Sequence, residues 1–282
     1  MTDVMIDRLK DVNKVRSERR RRSMPPRITA IGNRKGGVGK TSVTLGLATG
    51  LTLLNKRVLV VDLDPQADTT AALEAHGEFD IFDVLYGGEA GTLGQAITET
   101  SWRGIDAVPS SGALSRIESE SLMTPEMRLK TAAWDAVELQ QYDHILIDLP
   151  PALGRLTLNG LIWAETVIAV TEPAAFSVKG VGEFLDTINK VKGLPHLNPG
   201  LTFQGIIVNK LSSPATAEHS FQINELIGEY GDRVLEPYLP LRTAMQDSVS
   251  GRIPLTKLTS RGASIMTERF VEHARRIDGG TK

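Results

Sequence analysis

Ile28-Thr29-Ala30-Ile31-Gly32-Asn33-Arg34-Lys35-Gly36-Gly37-Val38-Gly39-Lys40-Thr41 is the stretch that decides the fold. A β-branched apolar run gives way to a glycine-rich segment, and apolar residues at helical spacing follow from Thr41 to Leu54. Strand, glycine loop and helix in that order make a phosphate cradle. Glycine reaches backbone angles closed to other residues, so N–H groups can converge on phosphate oxygens at a helix N-terminus. In such a loop Lys40 reaches the β- and γ-phosphates and the Thr41 hydroxyl binds magnesium, with Gly36, Gly37, Val38, Gly39 and Ser42 completing the nucleotide contacts. The alternative is a glycine-rich turn that binds nothing, and the Gly-Lys-Thr ending directly after a strand argues against it.

Around this loop short apolar runs alternate with longer helical patterns. Ile28 to Ile31, Val58 to Val61, Ile105 to Val108, His144 to Ile147, Val167 to Val170, Gly205 to Val208 and Val234 to Leu239 read as strands buried on both faces. Thr41 to Leu54, Met127 to Gln140 and Ser177 to Lys192 read as helices. The alternation predicts an α/β fold: a mostly parallel, doubly wound sheet with helices on both faces. No internal repeat or linker interrupts it, so residues 27–282 are expected to form one domain. Residues 1–26 differ in character: Arg16 and Arg19 to Arg22 precede Pro25-Pro26, which suggests a basic extension, partly helical at best. It is either a nucleic-acid arm or a solvated tail.

Composition narrows the chemistry. The 282 residues include no cysteine, which removes disulfides, thiolate catalysis and cysteine-ligated zinc or iron–sulfur centres. The formal net charge of −2 means that any nucleic-acid site must be a local patch. No apolar run has the length of a membrane span, and the N-terminal residues are polar and basic, so a cytoplasmic protein is expected.

Two further strands end in acids. In Val58-Leu59-Val60-Val61-Asp62-Leu63-Asp64-Pro65-Gln66, side-chain alternation puts Asp62 and Asp64 on one side and Leu63 on the other. Tyr142-Asp143-His144-Ile145-Leu146-Ile147-Asp148-Leu149-Pro150-Pro151 ends in Asp148. Open α/β sheets bind ligands beyond the carboxyl ends of their strands, so these acids should lie beside the loop. Magnesium favours hydroxyl, water and carboxylate oxygens, which makes Thr41 and Asp148 a sensible pair.

Arg34 stands where the strict P-loop pattern has glycine, and Lys35-Gly36-Gly37-Val38-Gly39-Lys40-Thr41 resembles the deviant Walker A motif of the ParA/MinD family. The resemblance covers Arg27 to about Ile277. It implies that Lys35 is a signature lysine reaching the nucleotide of a second chain, so that ATP is sandwiched in a homodimer. It also implies that Asp64 places or activates the attacking water, that Asp62 lies near the magnesium shell, and that Asp148 holds magnesium through water. Gly205-Ile206-Ile207-Val208-Asn209-Lys210 is similar to the family strand that supplies the adenine contact, making Asn209 a candidate for the base edge or else a loop-capping residue. Leu239-Pro240-Leu241-Arg242 resembles the stretch where the pocket closes, with Pro240 beside the nucleotide.

ParA relatives bind DNA without sequence preference through basic C-terminal residues, and by that likeness Arg242, Arg252, Lys257, Arg261 and Arg269 are the DNA candidates. The family also implies nucleoid association and a ParB-like, centromere-binding partner that stimulates hydrolysis. MinD relatives instead carry a C-terminal membrane helix. Here Met266, Phe270, Ala274 and Ile277 share one side of the last helix, which reads as docked on the core in preference to membrane-inserted. A metabolic P-loop kinase or amide ligase is the remaining alternative.

Overall fold

The computed structural model describes residues 25–279, so the basic stretch ahead of Pro25 lies outside the described residues. In chain order the elements are β1 (Arg27–Gly32), α1 (Lys40–Leu53), β2 (Val58–Asp62), α2 (Asp68–Leu73), α3 (Ile81–Gly87), β3 (Thr98–Glu99) and β4 (Ile105–Val108). Then follow α4 (Arg128–Ala133), β5 (His144–Asp148), α5 (Arg155–Trp163), β6 (Thr166–Thr171), α6 (Ser177–Gly193) and β7 (Thr202–Val208). The chain closes with α7 (Ala217–Tyr230), β8 (Val234–Leu235), α8 (Thr243–Ser250) and α9 (Arg261–Ile277).

Eight strands form one sheet in the order β3-β4-β2-β5-β1-β6-β7-β8. Every pairing is parallel except β3 with β4. Strand alternation divides the core in two. Val58, Val60 and Leu146 face the layer of α1 and α9, whereas Leu59, Val61, Ile145 and Ile147 face that of α5 and α6. All five residues of β2 and of β5 are buried, as expected of central strands covered on both sides.

The apolar face of α9 is not free. Met266, Phe270, Ala274 and Ile277 are buried against α1. Two α1 glycines let the helices approach: a Cβ on Gly46 would meet the Phe270 ring, and one on Gly50 would lie 2.6 Å from the Phe270 carbonyl oxygen. No helix among the described residues is long and apolar enough to cross a membrane.

Two strand or helix expectations are corrected, and one short strand is new. The helix expected over Met127 to Gln140 stops at Ala133, and Asp135 takes a left-handed φ of 60° before a 3-10 turn over Val137–Gln141. Helical spacing of apolar residues misled here, because Trp134 and Val137 stay exposed while Leu129, Ala132 and Leu139 are buried. The strand expected over Val234 to Leu239 ends at Leu235, just ahead of Pro237, which has no N–H to give the ladder. The two-residue β3 was not anticipated, being too short to leave a periodic signal.

Candidate nucleotide site

The loop between β1 and α1 is gripped from two sides. Asn33 donates its amide to the Val170 carbonyl on β6 at 2.7 Å and accepts the Lys35 N–H at 3.3 Å. From the end of β7, Asn209 donates Nδ2 to the Val38 carbonyl at 3.0 Å, and Lys210 Nζ donates to the Gly37 carbonyl. A trans peptide points its N–H away from its carbonyl, so carbonyls drawn toward β7 turn the Val38 and Gly39 N–H groups to the opposite side. Gly37 and Gly39 sit at φ 76° and 92°, and a Cβ on Gly39 would collide with the Asn209 amide. Glycine is therefore required there twice over, for conformation and for space. Arg34, the departure from the strict motif, pairs with Glu183 on α6.

Asn209, the candidate for the adenine edge, thus commits one of its two amide N–H donors to the phosphate loop. Pro240 is buried in a bridge beside Leu211, in the segment that extends β7. Val38 is buried under the loop, and Ser42 is half-buried on the first turn of α1.

The acids lie at the carboxyl ends of adjacent strands, Asp62 in register with Asp148. Both are buried. Asp148 Oδ2 accepts from Thr41 Oγ1 at 2.8 Å and Thr69 Oγ1 at 2.6 Å, and its Oδ1 accepts from Thr44 Oγ1 at 3.3 Å. Asp62 Oδ2 accepts from the Thr70 N–H at 2.9 Å and its hydroxyl at 2.7 Å, while Oδ1 accepts the Asp64 N–H at 3.1 Å. Asp148 thus ties the start of α1 to α2, whereas Asp62 fixes the segment from Asp64 to α2. Ser110 adds to that support, donating its hydroxyl to the Asp64 carbonyl at 2.8 Å.

Burial dominates the electrostatics. It pushes Asp62 up to about 7, reinforced by the Asp148 charge and opposed by the Thr70 and Asp64 donors. Burial also raises Asp148, against the hydrogen bonds of Thr69 and Thr41 and the charge of Lys40. Lys40 is buried and pulled down by desolvation, with Asp148 and then Asp64 holding it up. Asp64 is close enough to act on both, and it is partly exposed. The oxygens gathered at Asp148 are a carboxylate and hydroxyls, donors that magnesium accepts, and Lys40 is a buried cation matched to a triphosphate. The residues fit both groups.

Lys35 has the opposite environment. Its Nζ lies 2.9 Å from Glu172 Oε1, and the two side chains are 34% and 24% exposed. Lys210 Nζ approaches the other oxygen, Glu172 Oε2, at 3.8 Å.

The five DNA candidates separate. Arg242 and Arg261 line one cavity of about 470 Å3 with Ser260, between the starts of α8 and α9. Arg252 pairs with Glu74 at 3.4 Å, its carbonyl accepting from the Trp102 indole at 3.1 Å. Arg269 donates to the Tyr238 carbonyl, and Lys257 is exposed on a 3-10 turn. Sequence reasoning missed Thr44, Thr69, Thr70, Lys210 and Glu172. Thr44 was findable, since it stands one helical turn after Thr41.

A family profile described as an AAA domain matches residues 26–203. The chain is 33% identical over 256 residues to the sporulation initiation inhibitor protein Soj of Bacillus subtilis, covering 88% of this chain and 98% of that protein. It is 31% identical over 231 residues to the chromosome partitioning protein ParA of Caulobacter vibrioides, covering 80% and 85%. Among solved structures it superposes on cobyrinic acid a,c-diamide synthase from Mycobacterium smegmatis, a structure with bound ADP and magnesium. There the TM-score is 0.74 and the identity 30%, covering 91% of this chain and 97% of that one. With a deviant phosphate loop, an in-register acid pair beside it and a likeness to Soj over 88% of its length, the chain belongs to the ParA/Soj/MinD family of P-loop nucleotide-binding proteins.

Proposed function

We propose that this chain is a ParA-like partitioning ATPase. ATP closes two copies face to face, the closed pair holds DNA without sequence preference, and hydrolysis stimulated by a ParB-like partner reopens it. The observation that carries this reading is the contrast between two lysines of one loop. Lys40 is buried beside Asp148, suited to its own nucleotide, whereas Lys35 is a third exposed at the loop's edge, suited to a second chain.

Residues 27–282 act in this reading as one ATPase unit. Lys40 binds the phosphates, and Asp64, with its backbone pinned by Asp62 and Ser110, orients the attacking water. Thr41 and Asp148 hold magnesium, which when bound neutralises charge developing on the transferred phosphoryl group. No covalent nucleophile is needed, because positioning and electrostatics supply most of the catalysis. Arg242 and Arg261 make phosphate contacts with DNA, strong at low salt and weak at high salt.

Sedimentation of wild type and Asp64→Ala with ATP, with and without plasmid DNA, tests the reading. The variant is expected to stay dimeric and DNA-bound for longer than wild type. Equal lifetimes would strip Asp64 of its role. A wild-type chain that stays monomeric with saturating non-hydrolysable ATP analogue and magnesium would overturn the switch itself, and equal DNA retention with ATP and ADP would remove its DNA step.

A second reading, an amide ligase, is favoured by the likeness to cobyrinic acid a,c-diamide synthase over 97% of that chain. It requires ATP turnover that depends on a carboxylic acid substrate and a nitrogen donor and ignores DNA. Phosphate-release assays with each addition separate the two. A MinD-like membrane address fits less well, since the apolar face of α9 is occupied by α1.

A further inference from the structure

Glu172 is the first residue after β6, and its side chain meets two cations, Lys35 of the phosphate loop and Lys210 from the end of β7. One oxygen contacts Lys35 at 2.9 Å and the other faces Lys210 at 3.8 Å. Lys210 is itself tied to the Gly37 carbonyl. The Glu172 backbone is held in place. Its carbonyl accepts from the Ser177 hydroxyl, and Pro173 restricts it from the other side. A single carboxylate therefore holds Lys35 back against the loop that it grows from.

We propose that Glu172 is a positioning residue for Lys35: it latches the lysine onto its own subunit and must release it before the ammonium can reach a nucleotide held by a second chain. The inference rests on the sandwich-dimer reading and adds to it a threshold. Each closing chain must exchange a Lys35–Glu172 pair for a Lys35–phosphate contact, so the carboxylate sets how much ATP is needed for two chains to close. Part-exposed pairs of this kind shift an equilibrium by about two- to fivefold. Two latches open per dimer, so the dimerisation constant changes by the square, about four- to twenty-fivefold.

Two measurements test it. In the first, wild type and Glu172→Gln are titrated with ATP and magnesium at low salt and followed by sedimentation velocity, with thermal melts and ADP affinity measured alongside. The amide should dimerise at several-fold lower ATP while melting temperature and ADP affinity hold. The gap between the two chains should narrow at high salt, where the pair is screened. An unchanged or raised ATP requirement overturns the latch.

The second needs no variant: labelling of the wild-type chain with an amine-reactive reagent, read residue by residue by mass spectrometry. Lys35 should label several-fold more slowly than the exposed Lys179 at low salt and approach it at high salt. Equal rates at every salt concentration overturn the latch. If wild type never dimerises, the sandwich reading fails, and comparing Lys35 labelling in wild type and Glu172→Gln still decides whether Glu172 holds Lys35.

Discussion

Asp62 and Asp148 are register partners on neighbouring parallel strands, both buried, yet their carboxylates are held by different donors. Asp148 collects hydroxyls from α1 and α2, and Asp62 collects the Thr70 N–H and hydroxyl together with the Asp64 N–H. Two buried acids side by side repel, and each is kept in place by donors that the other does not share.

Asp148→Asn keeps a side-chain oxygen for the threonine hydroxyls and loses the charge. Magnesium-dependent binding of a fluorescent ATP analogue is expected to need about 10- to 100-fold more magnesium, with little change in melting temperature. A magnesium requirement equal to wild type would remove Asp148 from the metal site.

Asp62 gives a pH dependence with a definite sign. Its folded-state value, about 7, lies above the ordinary 3.8, so the folded chain binds the proton more tightly than the unfolded chain does. That contribution to stability is complete below about pH 4 and is lost as pH rises through about 7. Asp62→Asn lacks this loss. In chelator, the variant's stability relative to wild type should improve as pH rises from about 4 to 8. Urea midpoints at both ends of the range measure it, and a trend of opposite sign would refute the assignment.

Gly50→Ala puts a methyl 2.6 Å from the Phe270 backbone carbonyl, where nothing can swing aside. A cost of about 1–3 kcal/mol in chemical denaturation is expected as α1 and α9 separate. Gly228 on α7 has open space around it, so Gly228→Ala should stabilise by about 0.5–1 kcal/mol. The two changes carry opposite signs, and similar effects from both would refute the close approach of α1 to α9.

Arg242→Ala and Arg261→Ala are each expected to weaken ATP-dependent DNA binding and to reduce the slope of log K against log salt by about 1. Arg269→Ala should act on stability instead, because its guanidinium is engaged by Tyr238. Salt titrations by fluorescence anisotropy distinguish these outcomes. An unchanged slope in both Arg242 and Arg261 variants would move the DNA surface elsewhere.

The sequence alone determined the local parts whose physics is local: a glycine loop between an apolar strand and a helix, central strands without polar positions, and acids at their ends. These follow from backbone freedom and from burial on both faces, so the placement of Lys40 and Thr41 at the start of α1 and of Asp62 and Asp148 at the ends of adjacent strands was legible in the sequence. Tertiary structure decided what depends on residues far apart in the chain. Asn209 and Lys210 grip loop carbonyls about 170 positions away, and Glu172 captures Lys35. Arg242 and Arg261 share a cavity from which Arg252 and Arg269 are withdrawn by their own partners. Asp135 broke a helix whose apolar spacing alone predicted continuity. The direction that an amide or charged side chain turns is a competition among all acceptors within its reach, and only the folded chain brings those acceptors together.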